Sequence, residues 1–374
     1  MNKGWEQRKL GKVACINPKT NIPDNFKYVD LESVVGTSLI KAKLTTKQLA
    51  PSRAQRVAKK GDIFYQTVRP YQKNNFLFDI NNYDFQYVFS TGYAQLRSEI
   101  NNYFLFSYLQ RQRFVNLILR RSTGTSYPAI SSKDLSEIKI IFPRNSKEQE
   151  NIGKIINLID ALITLQQRKM EQLKQLKKAM LQQLFVNKNN KQPILKFKNF
   201  RNNWREYKLS EIVNLEDNKR KPVKATERIR GKIPYYGANG IQDYVKGYTH
   251  IGKHVLIAED GANSVDDYPI YFIYSPSWIN NHTHVLTAKE EILSSEFLAY
   301  ALKKINYAKY LVGSGRYKLN AEILKLIPLK IPTMNEQKYI ESNLSKIDKL
   351  IALQQNKLTQ LTALKKYLLQ KLFI

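Results

Sequence analysis

One long segment is written twice in this chain, and that repeat constrains the fold more than any other feature. Residues 148–186 align with residues 336–374 at a constant offset of 188 with no gap, and 20 of the 39 aligned positions are identical. Each copy opens on Glu-Gln, at Glu148-Gln149 and at Glu336-Gln337, and each follows a β-rich run that closes on proline. Those runs are EIKIIFP, ending at Pro143, and KLIPLKIP, ending at Pro332. Neither copy contains Gly or Pro after Gly153, so nothing interrupts a helical hydrogen-bond ladder. Each copy is therefore expected to be one rod of roughly 55–60 Å at about 1.5 Å per residue.

A 4-3-4-3 spacing runs along both rods. In the first it reads Ile152, Ile156, Ile159, Ile163, Gln166, Met170, Leu173, Lys177, Met180 and Leu184. In the second it reads Ile340, Leu344, Ile347, Ile351, Gln354, Leu358, Leu361, Lys365, Leu368 and Leu372. The stripe is apolar except for one glutamine and one lysine at matching places, and such polar seam residues fix register at some cost in stability. Parallel pairing would set the two lysines side by side. Antiparallel pairing is expected instead, with Gln166 meeting Gln354 near the midpoint.

A weaker echo marks where each half begins: GWEQRKLGKV at 4–13 resembles NWREYKLSEI at 203–212, with Trp5 over Trp204 and Leu10 over Leu209. The expected order is a globule over 1–143, a rod over 144–186, a basic linker over 187–203, a second globule over 204–332 and a second rod over 333–374. In the first globule FKYVDLESV, GDIFYQTVRP and YVFSTGYAQLR read as strands broken by NNFLFDINNYD, and residues 103–121 read as one amphipathic helix. In the second, IPYYGANGIQDYVKGY, HVLIAEDGAN, YPIYFIYS and HTHVLTA are strand candidates, with a helix over 294–312. The fold class is α+β: two mixed α/β domains separated by two long repeated helices in an antiparallel coiled coil, with approximate two-fold symmetry. The middles of the globules share little sequence, so matched scaffolds are expected to carry different cargo.

Charge narrows the partner. With 61 Lys+Arg against 31 Asp+Glu, the formal net charge is +30. An excess of this size favours a polyanion, because neutralising nucleic-acid phosphates releases condensed counterions; a merely lysine-rich composition is the bland alternative. The 23 tyrosines add side chains suited to phosphates and bases. No apolar run reaches the roughly 20 residues of a membrane span, MNKGWEQRKLGK lacks a signal-peptide core, and the single Cys15 suits a reducing compartment. A cytoplasmic protein is expected.

Few stretches carry catalytic chemistry. His250, His254, His282 and His284 lie at i,i+4 and i,i+2 spacings, but no cysteine or carboxylate pair accompanies them at metal spacing, so no metal is expected. The GAN turn at 261–263 follows HVLIAEDG, yet no phosphate-binding glycine motif is present. Neither a methyltransferase motif nor a nuclease carboxylate cluster can be assembled, and the chain reads as non-catalytic. DNA contacts are better supplied. Arg69, Tyr71, Lys73 and Asn74 of TVRPYQKNN form one set. Arg120 and Arg121 beside Thr123, Thr125, Ser126 and Tyr127 form a second, with a helix-capping role for Gly124 equally open. Ser314, Arg316, Tyr317 and Lys318 are the counterpart loop of the second globule. Tyr235, Tyr236 and Asn239 of YYGAN, with Asn280, Asn281 and His282 of INNHTH, complete the list, buried strand tyrosines being the competing account.

Taken in order, these motifs resemble the specificity (S) subunits of type I restriction–modification systems. The resemblance spans the full chain. It rests on the Trp5–Leu10 and Trp204–Leu209 openings, GDIFYQTVRP, VFSTGYAQLR, YYGANGI, NNHTHVL and the Glu-Gln start of each rod. It implies two target-recognition domains, each reading one half of a split DNA site, with the paired rods as a spacer. It also implies two methylation subunits that carry S-adenosylmethionine and modify adenine N6, and restriction subunits that use ATP and Mg. No cofactor is expected in this chain. A stand-alone DNA-binding regulator with a coiled-coil spacer is the alternative, although no compact helix-turn-helix is apparent.

Overall fold

The computed structural model describes residues 4–186, 190–200, 202–313 and 317–373. Both repeats are helical throughout: Ser146–Leu184 spans 39 residues and Met334–Lys371 spans 38. The chain divides into two compact units, residues 1–168 with 355–374, and residues 169–354. Each unit thus contains one globule, the first part of the helix that follows it, and part of the other long helix.

In the first unit, Trp5–Lys9 pairs antiparallel with Lys139–Pro143, so the opening motif lies against the proline-ended strand that leads into the first long helix. In the second unit, Arg205–Lys208 pairs with Pro328–Ile331 in the same way. Behind each pair is a four-stranded sheet. Its order is Ala14–Ile16, Tyr93–Ser98, Ile63–Gln66, Phe76–Leu77 in the first unit and Val213–Leu215, Thr283–Ala288, His254–Ala258, Ile270–Ile273 in the second. The two globules therefore share a sheet of identical order despite their dissimilar sequences. They differ in a second sheet. It is four-stranded in the first unit (Lys43–Thr46, Asn25–Val29, Tyr87–Ser90, Ala54–Val57) and three-stranded in the second (Gly240–Val245, Arg230–Gly237, Trp278–Ile279).

The strands Ile63–Gln66 and His254–Ala258 are buried along their whole length. With side chains alternating between faces, Ile63 and Tyr65 enter one core while Phe64 enters another. Val255 and Ile257 likewise separate from Leu256. Continuous apolar runs are what a strand between two cores requires.

Several expected boundaries shift. GDIFYQTVRP is a strand only to Gln66, because Arg69 and Lys73 adopt left-handed backbone at φ 53° and 56° around a 3₁₀ turn at Pro70–Gln72. The expected break NNFLFDINNYD contains the short edge strand Phe76–Leu77. The expected helix over 103–121 is two helices, Asn102–Leu109 and Gln112–Leu119. It breaks where Arg111 turns extended, with its guanidinium over the rings of Tyr108 and Phe373 at 4.8 and 4.9 Å. The helix expected over 294–312 stops at Leu302 and gives way to a 3₁₀ turn at Tyr307–Lys309 capped by Asn306.

Within each unit the two long helices run antiparallel. In the first, Ile152 near the start of one helix shares a core with Leu369, Leu372 and Phe373 near the end of the other. In the second, Leu184 and Phe185 share a core with Ile340 and Leu344. Phe373 packs on Phe104 at 5.2 Å, and Phe185 packs on Phe297 at 5.3 Å. Trp5 and Trp204 complete the two sets at 6.1 and 5.8 Å from those phenylalanines.

The seam lysines are paired, but to residues beside the seam. Lys365 meets Asp160 at 2.5 Å in the first unit, and Lys177 meets Asp348 at 2.5 Å in the second. The two pairs are equivalent under the 188-residue offset. The Oε1 atoms of Gln166 in the first unit and of Gln354 in the second are each buried without a hydrogen-bond partner among the described residues. Among those residues no helix is long and apolar enough to cross a membrane.

Candidate nucleic-acid interface

Two loop clusters have a common backbone plan. In the first unit, residues 123–129 form a small hairpin in which the Thr123 and Ala129 amides and carbonyls bond reciprocally at 2.9 Å. In the second, Val312 and Lys318 do the same at 2.9 and 3.0 Å. The residue after each bridge docks on the segment just after the central buried strand: Ile130 N–H donates to Thr67 O at 3.1 Å, and Leu319 N–H donates to Glu259 O at 2.7 Å. A third segment joins in both units, where Thr67 N–H donates to Gly92 O at 3.0 Å and Glu259 N–H to His282 O at 2.9 Å. Three stretches far apart in sequence therefore meet at one junction in each unit.

In the first unit this junction gathers both expected sets. The Arg69 guanidinium lies over the Tyr127 ring at 4.3 Å, and Arg69 N–H donates to Pro128 O at 2.8 Å. Tyr71 and Tyr127 are 50% and 61% exposed, enough ring surface to meet a ligand. Arg120, Arg121, Thr123, Thr125 and Ser126 are exposed. Asn74 is already committed, since its Oδ1 accepts from Gly36 N–H at 2.9 Å. Lys73 is half-buried, and burial, then the charge of Lys365, lower its pKa.

In the second unit the expected residues divide. Tyr235 is a core tyrosine whose hydroxyl accepts from Val223 N–H at 3.0 Å, with Arg228 over its ring at 4.1 Å. Asn280 is buried, and its Oδ1 accepts from His282 N–H at 2.9 Å. For both, the competing account of a buried structural side chain is the one the structure supports. Asn239 pins the GAN turn, donating to Gly261 O at 2.8 Å and accepting from Asn263 N–H at 2.9 Å. Tyr236 is half-buried; Asn281, Tyr317 and Lys318 are exposed. His282 Nδ1 lies 2.5 Å from Asp260 Oδ1. Ser314 and Arg316 lie outside the described residues.

A charge network beneath the second junction was not apparent from sequence, because its members are scattered singly. Arg220 pairs with Glu259 at 2.7 Å and Asp217 at 3.3 Å, Lys318 pairs with Glu259 at 3.0 Å, and His284 Nδ1 lies 2.5 Å from Asp217. Burial works against the Glu259 carboxylate, but hydrogen bonds from Arg220 and Lys318 outweigh it and hold its pKa below the ordinary value. Asp217, Glu259 and His284 come close enough to hold a cation, yet Arg220 and Lys318 already balance the two carboxylates. His250 and His254 are engaged by Glu216 O and Thr287 Oγ1 at 3.2 and 2.9 Å. Exposed cations, hydroxyls and aromatic rings are gathered at the first junction.

The family model described as type I restriction modification DNA specificity domain matches residues 2–175 and again 201–363. A putative type I restriction enzyme specificity subunit of Haemophilus influenzae is 48% identical over 129 residues, 34% of this chain and 33% of that protein. The type I restriction enzyme MjaVIII specificity subunit of Methanocaldococcus jannaschii is 24% identical over 282 residues, 67% of this chain and 65% of that protein. The chain thus spans between a third and about two thirds of these relatives' length. In fold it is similar to the crystal structure of a type I restriction–modification S subunit from M. genitalium, with TM-score 0.73, 19% identity, and 100% and 97% of the two chains covered. A second solved chain, from work on complex assembly and conformational transition of the type I R-M system, matches at TM-score 0.55 and 21% identity over 100% and 98% of the chains. With the domain matched once on each half, the chain belongs to the type I restriction modification DNA specificity domain family.

Proposed function

We propose that this chain is the non-catalytic DNA-reading subunit of a type I restriction–modification complex, with each globule reading one half of a split, asymmetric duplex site. What supports this most is the loop junction built twice on one backbone plan but furnished differently, with Arg69 and Tyr127 at one and His282, Asn281 and Lys318 at the other. Equal scaffolds with unequal side chains suit two unlike half-sites. The two long helices would set the gap between halves.

Two methylation subunits would dock on the helices and bring S-adenosylmethionine, while restriction subunits would bring ATP and Mg chemistry. Leu162, Leu165 and Leu176 are 38–48% exposed, and their equivalents Leu350, Leu353 and Leu364 are 45–48% exposed. Apolar side chains repeated on both helices suit a partner that binds twice. A stand-alone regulator is not favoured, because both halves match the specificity domain.

The test uses the chain assembled with its methylation subunits and duplexes altered one base pair at a time. Arg69→Ala should weaken binding about tenfold, on the order of 1–3 kcal/mol if Arg69 contacts a base, and should flatten discrimination in one half only. Equal loss of discrimination in both halves would contradict one half-site per globule.

A further inference from the structure

Beside the strand Ala54–Val57, the first unit opens a cleft of about 770 Å³ whose lining includes Lys19, Thr20, Lys47, Ser52, Gln55 and Arg56. No Asp or Glu lines it. The Nε of Arg56 is buried without a hydrogen-bond partner, and so is the hydroxyl of Thr20. Burial lowers the Arg56 pKa, and no neighbouring carboxylate offsets it. A guanidinium does not shed its proton in a protein, so Arg56 keeps a positive charge in the cleft wall that no carboxylate of the lining balances. The planar fork of arginine matches phosphate oxygens.

The cleft adjoins the candidate interface on two sides. Arg53 O, one residue before the strand, accepts from Thr91 N–H at 2.8 Å, and the neighbouring Gly92 O accepts from Thr67 N–H and Thr67 Oγ1 at 3.0 and 2.8 Å. On the other side, Asn17, which also lines the cleft, donates to Ser132 Oγ at 2.7 Å, just past the 123–129 hairpin. Hydrogen bonds therefore tie the rim of the cleft to Thr67, two residues before Arg69, and to Ser132, just past the hairpin.

We propose that this cleft seats a backbone phosphate of the duplex read by the first unit, with the exposed Lys19 and Lys47 donating to its oxygens and the charge of Arg56 in the cleft lining beneath it. This rests on the DNA-reading role proposed above. The contact belongs to one half only, since the second unit carries a three-stranded sheet in place of the four-stranded one that forms the cleft wall.

The test measures affinity of the assembled complex for its target duplex across a salt series. Arg56→Ala should bind about tenfold more weakly and show a log–log salt slope shallower by about one, as expected for one lost phosphate, with the methylated motif unchanged. Lys19→Ala with Lys47→Ala, both at exposed positions, gives a second variant that leaves the core intact and should also flatten the slope. Unchanged slopes in both variants would overturn the proposal. So would inorganic phosphate raising the melting temperature of the wild type and not of Arg56→Ala while the DNA salt slope stays the same, because the cleft would then hold a free anion. A wild-type complex that binds no duplex would sink the DNA-reading role itself, and this site with it.

Discussion

Glu-Gln stands at the start of both long helices because each residue ties the helix to its globule. Trp5 Nε1 donates to Glu148 at 3.0 Å and Trp204 Nε1 donates to Glu336 at 3.3 Å. Gln149 accepts from Asn101 N–H at 3.0 Å and donates to Pro143 O at 2.8 Å. Gln337 accepts from Ser294 N–H at 2.9 Å and donates to Ile292 O and Pro332 O at 2.9 and 3.0 Å. Gln337 is fully buried, so Gln337→Ala would strand three backbone groups and should cost about 2–4 kcal/mol in chemical denaturation. Glu336 behaves differently. Burial raises its pKa, and the Trp204 hydrogen bond and Lys196 only partly counter that. A raised carboxyl pKa favours folding below its unfolded value and loses that contribution as pH rises through the folded one. Glu336→Gln should therefore melt higher than wild type near neutral pH, and the gap should close as pH falls toward the ordinary glutamate range. A gap that widened on acidification would contradict this assignment.

At the scale of elements, the rods were legible in the sequence and their ion pairs were not. The 4-3-4-3 stripe located Lys177 and Lys365, but Asp160 and Asp348 sit off the stripe, where periodicity has nothing to say. Burial raises the Asp160 pKa even with Lys365 beside it. By the same linkage as for Glu336, Asp160→Asn should melt no lower than the wild type near neutral pH, and any gap should close as pH falls toward the ordinary aspartate range; a denaturation series across pH decides, and a clear loss at neutral pH would contradict it. Phe373→Ala should cost about 3–5 kcal/mol, because the ring fills the pocket between Phe104 and Tyr108. Hydrogen exchange should show the loss in the first unit. The shared four-stranded sheet escaped sequence comparison for a related reason. A strand buried on both faces needs only apolar side chains, so Ile63–Gln66 and His254–Ala258 fill the same place with no common residue pattern. The loop junctions were half legible: polar and aromatic loop residues stood out, but nothing linear showed that Tyr235 and Asn280 turn inward.

For the whole molecule, duplication is the organising fact: one scaffold built twice, one family domain matched twice, and two unlike loop clusters. If the rods set the distance between half-sites, four residues inserted within one helix add roughly 6 Å. That should lengthen the gap by nearly two base pairs at about 3.4 Å each without changing the bases read; altered bases at a constant gap would contradict a ruler. The most direct test of the DNA-reading role is single-molecule sequencing of N6-methyladenine in cells with and without this gene. If the chain reads the split site, one split motif with a methylated adenine in each half is lost when the gene is removed and its partners are still expressed. Methylation that stays unchanged under those conditions would contradict it.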